Sequence, residues 1–336
     1  MKTMAVILAL LAFPLGFFRA QTRKADVTEV SDELHAPKIS MMPAWGLEAE
    51  KGICRRDPSD VIRVGESYYV WYTKVRNGPG VFQYPSGYTG SIWYATSADG
   101  RHWKERALCL TKGPESAWDG HGVFTPGILA ARNKFYLFYT AVPNPMTVDT
   151  PTGIGIAEAD SPDGPWKKID RNPILRPSSD PAQFDSFRVD DACLLTRNGQ
   201  YWMYYKGRQA SKAPSQTKWG VAIAERPTGP YVRSPDNPVT NSGHEVLVWP
   251  YLEGVAALIG PTGPEKNTIQ YAGDGVHFRV ISHIQNPPGA PGGYRPDAFT
   301  GRRSAEGMPW GIAMKNGPDP YLVRFDCNFN LNLKVK

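Results

Sequence analysis

Four stretches of this chain are versions of one another, and their spacing leaves few folds open. They are IWYATSADGRHWKE (92–105), IGIAEADSPDGPWKKI (154–169), WGVAIAERPTGPYVRS (219–234) and TIQYAGDGVHFRVI (268–281). Each is an apolar strand-like run, a tight turn containing Gly, then an aromatic: Trp103, Trp166, Tyr231 and Phe278, at intervals of 63, 65 and 47 residues. A second aromatic strand precedes the first three: SYYVWYT, KFYLFYT and QYWMYYKG. Repetition of strand–turn–strand units at this period means radial stacking of small sheets, because one such unit cannot bury its apolar face alone. Units of roughly 50–65 residues are the size of four-stranded propeller blades with loops. The chain length then gives five, the last around GMPWGIAMKN. The fold expected is all-β, a five-bladed propeller, with the repeat aromatics packing between neighbouring blades.

Composition agrees: 33 Gly and 31 Pro supply turns, and 12% aromatic residues supply strand faces. At the N-terminus, Lys2 precedes an apolar run from Met4 to Phe18, too short to span a bilayer comfortably. Residues 1–20 read as a signal peptide, 21–42 as an N-terminal arm, and 43–336 as the propeller. A secreted or periplasmic protein is expected, without membrane spans. Four cysteines (Cys54, Cys109, Cys193, Cys327) match no zinc spacing and read as buried free thiols. The net charge of +6 is spread along the chain in mixed sign, so no nucleic-acid partner is indicated.

In a propeller the innermost strand of each blade lines the axis, so residues at the blade starts converge on one mouth. Those starts carry acids or histidines. Blade one has RRDPSDVI, with Asp57 fixed by Pro58 at the head of a strand, and Asp60 as a turn residue. Blade two has WDGHGVFTPGIL with Asp119 and His121; blade three has FDSFRVDDACLL with Asp185, Asp190 and Asp191; blade four has NSGHEVLVWPY with His244 and Glu245. Strict strand alternation places Asp190 and Asp191 on opposite faces, and separates His244 from Glu245 in the same way. Several carboxylates in one pocket suit glycoside cleavage, in which one group protonates the leaving oxygen and another activates water or attacks the sugar. Histidine can act as the proton donor because it titrates near neutrality. A bound divalent cation is the rival use of these side chains, although no tight ligand spacing supports it.

These motifs, with SYYVWYTK, TKWGVAIAERPTGPY and GPEKNTIQYAGDGVHF, resemble glycoside hydrolase family 117 from about Pro43 to Pro296. The resemblance implies a five-bladed propeller, inversion, and release of 3,6-anhydro-L-galactose or a related sugar from the non-reducing end of agar-derived oligosaccharides. It implies that Asp57 is the base activating water and that Asp191 orients the sugar and tunes a neighbour. The proton donor falls on His244 or Glu245, with His244 favoured and Glu245 then binding substrate. Asp119, His121, Thr125 and Lys206 complete the expected substrate-binding set. The chain departs from the family pattern at Gly127, where a Glu follows Thr-Pro, and at Asp190, where a His precedes the acid. It also lacks the Ser-x-Ala-x-x-Arg arm motif, having VSDELHAPKISMMPAW, so a homodimer stays open but arm exchange is not expected to build it. A binding propeller without activity, and an arabinosidase or xylosidase of a neighbouring five-bladed family, are the competing functions.

Overall fold

The computed structural model describes residues 37–76, 90–147, 149–297, 299–300 and 307–328 of the 336. The expected signal peptide and the arm up to residue 36 lie outside these. Among these residues, twenty-one strands form five separate antiparallel sheets, the blades of a β-propeller. Strand β1 (Lys38–Pro43) precedes blade one, which holds β2 (Ile53–Arg56), β3 (Ile62–Val64), β4 (Ser67–Arg76), β5 (Ser91–Ser97) and β6 (Trp103–Leu110). Blade two is β7 (Gly122–Ala131), β8 (Lys134–Val142), β9 (Gly153–Ala159) and β10 (Lys167–Lys168). Blade three is β11 (Arg188–Arg197), β12 (Gln200–Arg208), β13 (Lys218–Ala224) and β14 (Val232–Arg233). Blade four is β15 (Val246–Tyr251), β16 (Gly254–Ile259), β17 (Thr268–Ala272) and β18 (Arg279–His283). Blade five takes β19 (Gly289–Gly293), β20 (Trp310–Lys315) and β21 (Tyr321–Asn328), and its outer strand is β1, paired to β21 from Lys38↔Asn328 to Pro43↔Val323. The ring is therefore closed by a strand from the opposite end of the chain.

Local sequence dictates the hairpins. Arg132-Asn133 and Asn198-Gly199 each form a two-residue link with both residues at positive φ, the turn whose twist matches that of paired strands. The repeat aromatics do what their period suggested. Trp166 meets Trp71 of blade one edge-on at 6.0 Å, Tyr231 meets Phe138 of blade two at 5.9 Å, and Phe278 meets Tyr204 of blade three at 6.1 Å. Trp71, Phe138 and Tyr204 are the fifth residues of the three second-strand motifs. These three repeats thus lay their aromatic on the same position of the preceding blade, in the edge-to-face geometry that aromatic rings favour. The cysteines are unpaired, and no helix among the described residues is long and apolar enough to cross a membrane.

Blades one, three and five are pinned together near the axis by Arg295. It is 1% exposed and donates to Asp60 Oδ2 (3.0 Å), to the Leu194 carbonyl (2.8 Å) and to both oxygens of Asp297 (2.9 Å each). Asp60 also accepts from the Gly293 amide at 2.9 Å. Asp60 is therefore a buried ion-pair partner and not the turn residue that its Pro-Ser context suggested. A carboxylate can occupy this depth because a guanidinium and an amide satisfy both of its oxygens.

Candidate active site

Three of the inner strands share a defect that helps build the site. In blade two the register slips from Phe124↔Thr140 to Gly127↔Phe138, in blade three from Asp190↔Lys206 to Cys193↔Tyr204, and in blade five from Gly289↔Met314 to Gly292↔Ile312. Each is a bulge, two residues facing one, whose first residue has positive φ: Thr125 (44°), Asp191 (54°) and Ala290 (39°). Asp57 (φ 48°) holds the matching place in blade one, in the break between β2 and β3 that both pair with β4. Left-handed backbone is costly for non-glycine residues, and its recurrence at one position marks this rim as the candidate functional site.

Freed bulge amides find acceptors on the preceding blade. The Thr125 amide donates to Thr73 Oγ1 (2.9 Å), the Asp191 amide to Thr140 Oγ1 (3.2 Å), and the Ala290 amide to Glu245 Oε2 (2.7 Å). Thr73 and Thr140 end the motifs SYYVWYT and KFYLFYT; the same position in QYWMYYKG is Lys206. Instead of capping a bulge, Lys206 pairs with Asp191 and lies 3.5 Å from Asp190 Oδ1.

The bulge residues ring one pocket that opens to solvent and takes side chains from all five blades. Asp57, Asp191, His244, Glu245, Thr125 and Lys206, all expected from the sequence, line it. Asp119 and His121 do not. Asp119 lies in the loop before β7, buried against Lys168 of β10, and His121 keeps its Nε2 buried without a partner. In blade two the rim position is Thr125, beyond both residues. Alternation also fails as a guide: Asp190 and Asp191 both reach the pocket because the bulge turns the backbone between them, and His244 and Glu245 both reach it from irregular chain before β15. Unforeseen lining residues include Arg56, Arg188, Met146, Trp219 and the pair Ala290-Pro291. The last had a signal in the sequence: Asp57-Pro58, Thr125-Pro126 and Ala290-Pro291 repeat a residue–Pro step at one blade position.

The electrostatics divide the pocket. Asp57 pairs with Arg56, yet burial outweighs that pairing and raises its carboxyl above the usual range, with Asp191 adding to the rise. The side chains of Asp57 and Asp191 remain 17% and 22% exposed, enough to meet a ligand. Asp190 is also pushed up, by burial first and Asp191 second, against the pull of Lys206. Burial raises Glu245, opposed by its hydrogen bond from Ala290 and assisted by the charges of Asp57 and Asp191. His244 goes the other way. Lys206 foremost, then burial, and further Arg188 and Arg208, lower it to about 4, so its ring is neutral at pH 7. Among the described residues no three His, Cys, Asp or Glu side chains converge as a metal-holding group.

Gly127 stands against blade three. A Cβ there would lie 2.3 Å from the Ala192 carbonyl oxygen, so the inner strands of blades two and three approach as closely as glycine allows.

Known proteins share this arrangement. Residues 53–192 match the model of glycosyl hydrolases family 43. No curated protein matches the sequence. Among solved structures, an endo-arabinase from Bacteroides thetaiotaomicron VPI-5482 has a TM-score of 0.54 at 14% identity, covering 81% of this chain and 93% of that one. A sucrose-6-phosphate hydrolase from Lactobacillus gasseri has a TM-score of 0.61 at 14% identity, covering 83% of this chain and 61% of that one. At such identities the likeness is one of fold. Zg3597, a family 117 glycoside hydrolase from the marine bacterium Zobellia galactanivorans, is 32% identical, with a TM-score of 0.79 over 90% of this chain and 94% of that one. With sequence and structure matching over nearly the whole length, the chain belongs to glycoside hydrolase family 117.

Proposed function

We propose that this protein is a secreted, exo-acting α-glycoside hydrolase. It works with inversion and frees 3,6-anhydro-L-galactose or a related sugar from the non-reducing end of agar-derived oligosaccharides. The observation that carries the reading is the meeting of Asp57, Asp191 and Glu245 in one pocket, where each carboxylate bears on another's charge.

In this reading Asp57 takes the proton of the attacking water. Arg56 beside it favours the ionised form that a base requires, working against the burial that raises Asp57 overall. Asp191, tied to Lys206, orients the sugar and holds its neighbours' proton affinity up. The leaving oxygen needs a donor that still carries its proton near neutrality. Glu245, raised by burial and by two carboxylates, meets that need better than His244, whose neutral ring is a poor acid. We therefore assign proton donation to Glu245. His244 serves as a neutral hydrogen-bonding partner for a sugar hydroxyl.

Incubation with neoagaro-oligosaccharides, followed by chromatography for anhydrogalactose and NMR of the first-formed anomer, tests the assignment. Release of the inverted anomer, abolished in Asp57→Asn, is expected. Absence of release, together with Asp57→Asn matching wild type on every substrate turned over, would sink it; binding without turnover of any substrate, unaffected by Asp57→Asn, would favour a sugar-binding propeller.

A further inference from the structure

One charged side chain lining the pocket makes no direct ion pair among the described residues. Arg188 opens β11, lines the pocket wall and is only 7% exposed. Its Nε donates to the Thr150 carbonyl at 2.9 Å and its Nη2 to the Thr147 carbonyl. No carboxylate among the described residues lies within ion-pair distance of it. Asp190, two residues along the same strand, feels the charge of Arg188 but makes its ion pair with Lys206, at 3.5 Å. Two backbone carbonyls fix the guanidinium plane but do not neutralise it, and three of its five N–H donors are left for something else. A buried cation without an anion is costly, so a site that keeps one has a use for it. The nearby ring of His244 registers the same field, since Arg188 is among the groups that disfavour its protonation.

We propose that Arg188 is a specificity residue that pairs with an anionic substituent, a sulfate ester or a carboxylate, on the sugar entering the pocket. The inference rests on the glycosidase reading of this pocket, and it narrows the substrate from neutral to acidic oligosaccharides. Sulfate and carboxylate both present two coplanar oxygens to a guanidinium, so a fork already held in plane can grip either with little ordering cost. The pocket is then polar in a useful sense. The carboxylates Asp57, Asp191 and Glu245 attend the bond being broken, and Arg188 attends the charge that identifies the sugar.

Three matched probes separate the sources of charge: neutral neoagaro-oligosaccharides, the same after chemical O-sulfation, and the same after oxidation of primary hydroxyls to carboxylates. Binding to Asp57→Asn is measured by calorimetry, and kcat/KM is measured for the enzyme. One acidic form should be preferred over the neutral form by about 10- to 100-fold, the range a charged hydrogen bond supports. Arg188→Met should bring that ratio close to one, whereas Arg188→Lys should retain part of it. A residue that merely clamps the Thr147 and Thr150 carbonyls would lower acidic and neutral substrates alike, and that result overturns the proposal. Equal or weaker binding of both acidic forms by Asp57→Asn overturns it as well. If Asp57→Asn prefers an acidic probe while the wild type cleaves none, the role of Arg188 stands and the hydrolytic reading falls.

Discussion

Replacing Arg295 by Met should cost the propeller more than any other single change near its axis, and the cost should depend on pH. The guanidinium is 1% exposed, spans blades one, three and five, and lies 4.1 Å over the Phe299 ring. Met fills much of the volume but leaves the carboxylates of Asp60 and Asp297 buried beside it. Removing one partner of a buried ion pair costs roughly 3–5 kcal/mol, because the remaining charge is uncompensated. At roughly 2–4 °C per kcal/mol for a domain of a few hundred residues, the melting midpoint should fall by on the order of 10 °C. The pH dependence follows from Asp60. Burial already holds its carboxyl above the usual range, and Arg295 is the largest influence opposing that rise. A carboxyl raised in the folded state contributes most to stability at low pH, where it is protonated, and loses that contribution as pH rises through its folded value. Arg295→Met lifts Asp60 further, so the deficit against wild type should be largest at pH 8 and shrink towards pH 5. Urea denaturation of both proteins at the two pH values measures it. The double variant Asp60→Asn/Arg295→Met should recover part of the loss, because Asn can still accept from the Gly293 amide. A deficit below about 1 kcal/mol, well under that expected for a broken buried pair, or one constant across pH, would refute the reasoning.

Lys206→Met removes the largest influence holding His244 down, so its imidazole should titrate clearly above about 4 by NMR; an unmoved titration contradicts the placement of Lys206. Glu245→Gln should lower kcat by about 10²- to 10⁴-fold and erase the alkaline limb of the pH–rate profile. That limb belongs to the donor, which fails as pH rises through its raised pKa, and its survival in Glu245→Gln with loss in His244→Asn would reverse the assignment. Gly127→Ala must force the Ala192 carbonyl aside, and overpacking of this kind costs about 1–3 kcal/mol. An unchanged melting midpoint would show that blades two and three part more easily than the contact implies.

The repeat made the propeller legible, because aromatic spacing is a direct consequence of how blades stack. Asp57 was legible for a related reason: an acid joined to Pro at the head of a strand stands out. The alternation rule then misled at Asp190 and Asp191, since it presumes a regular strand and the bulge violates that premise. Asp119 and His121 were drawn in by sequence proximity to β7, but the rim lies four to six residues further on, at Thr125. Arg188 and Arg295 carried no local mark. One is defined by the partner it lacks and the other by partners in three blades, and neither relation exists until the ring closes.

The bulge shared by the inner strands has a consequence for how such a molecule can change. Its first residue projects into the same cavity from blade after blade, while the flanking strands carry the stability of the ring. The scaffold therefore offers addressable sockets around a common centre, two of them filled by acids and two by Thr125 and Ala290. A new side chain at Thr125 or Ala290 would enter the cavity without disturbing a ladder pairing. Asn or Asp would fit best there, since both tolerate the left-handed backbone better than the β-branched Thr. New chemistry can thus be installed one socket at a time.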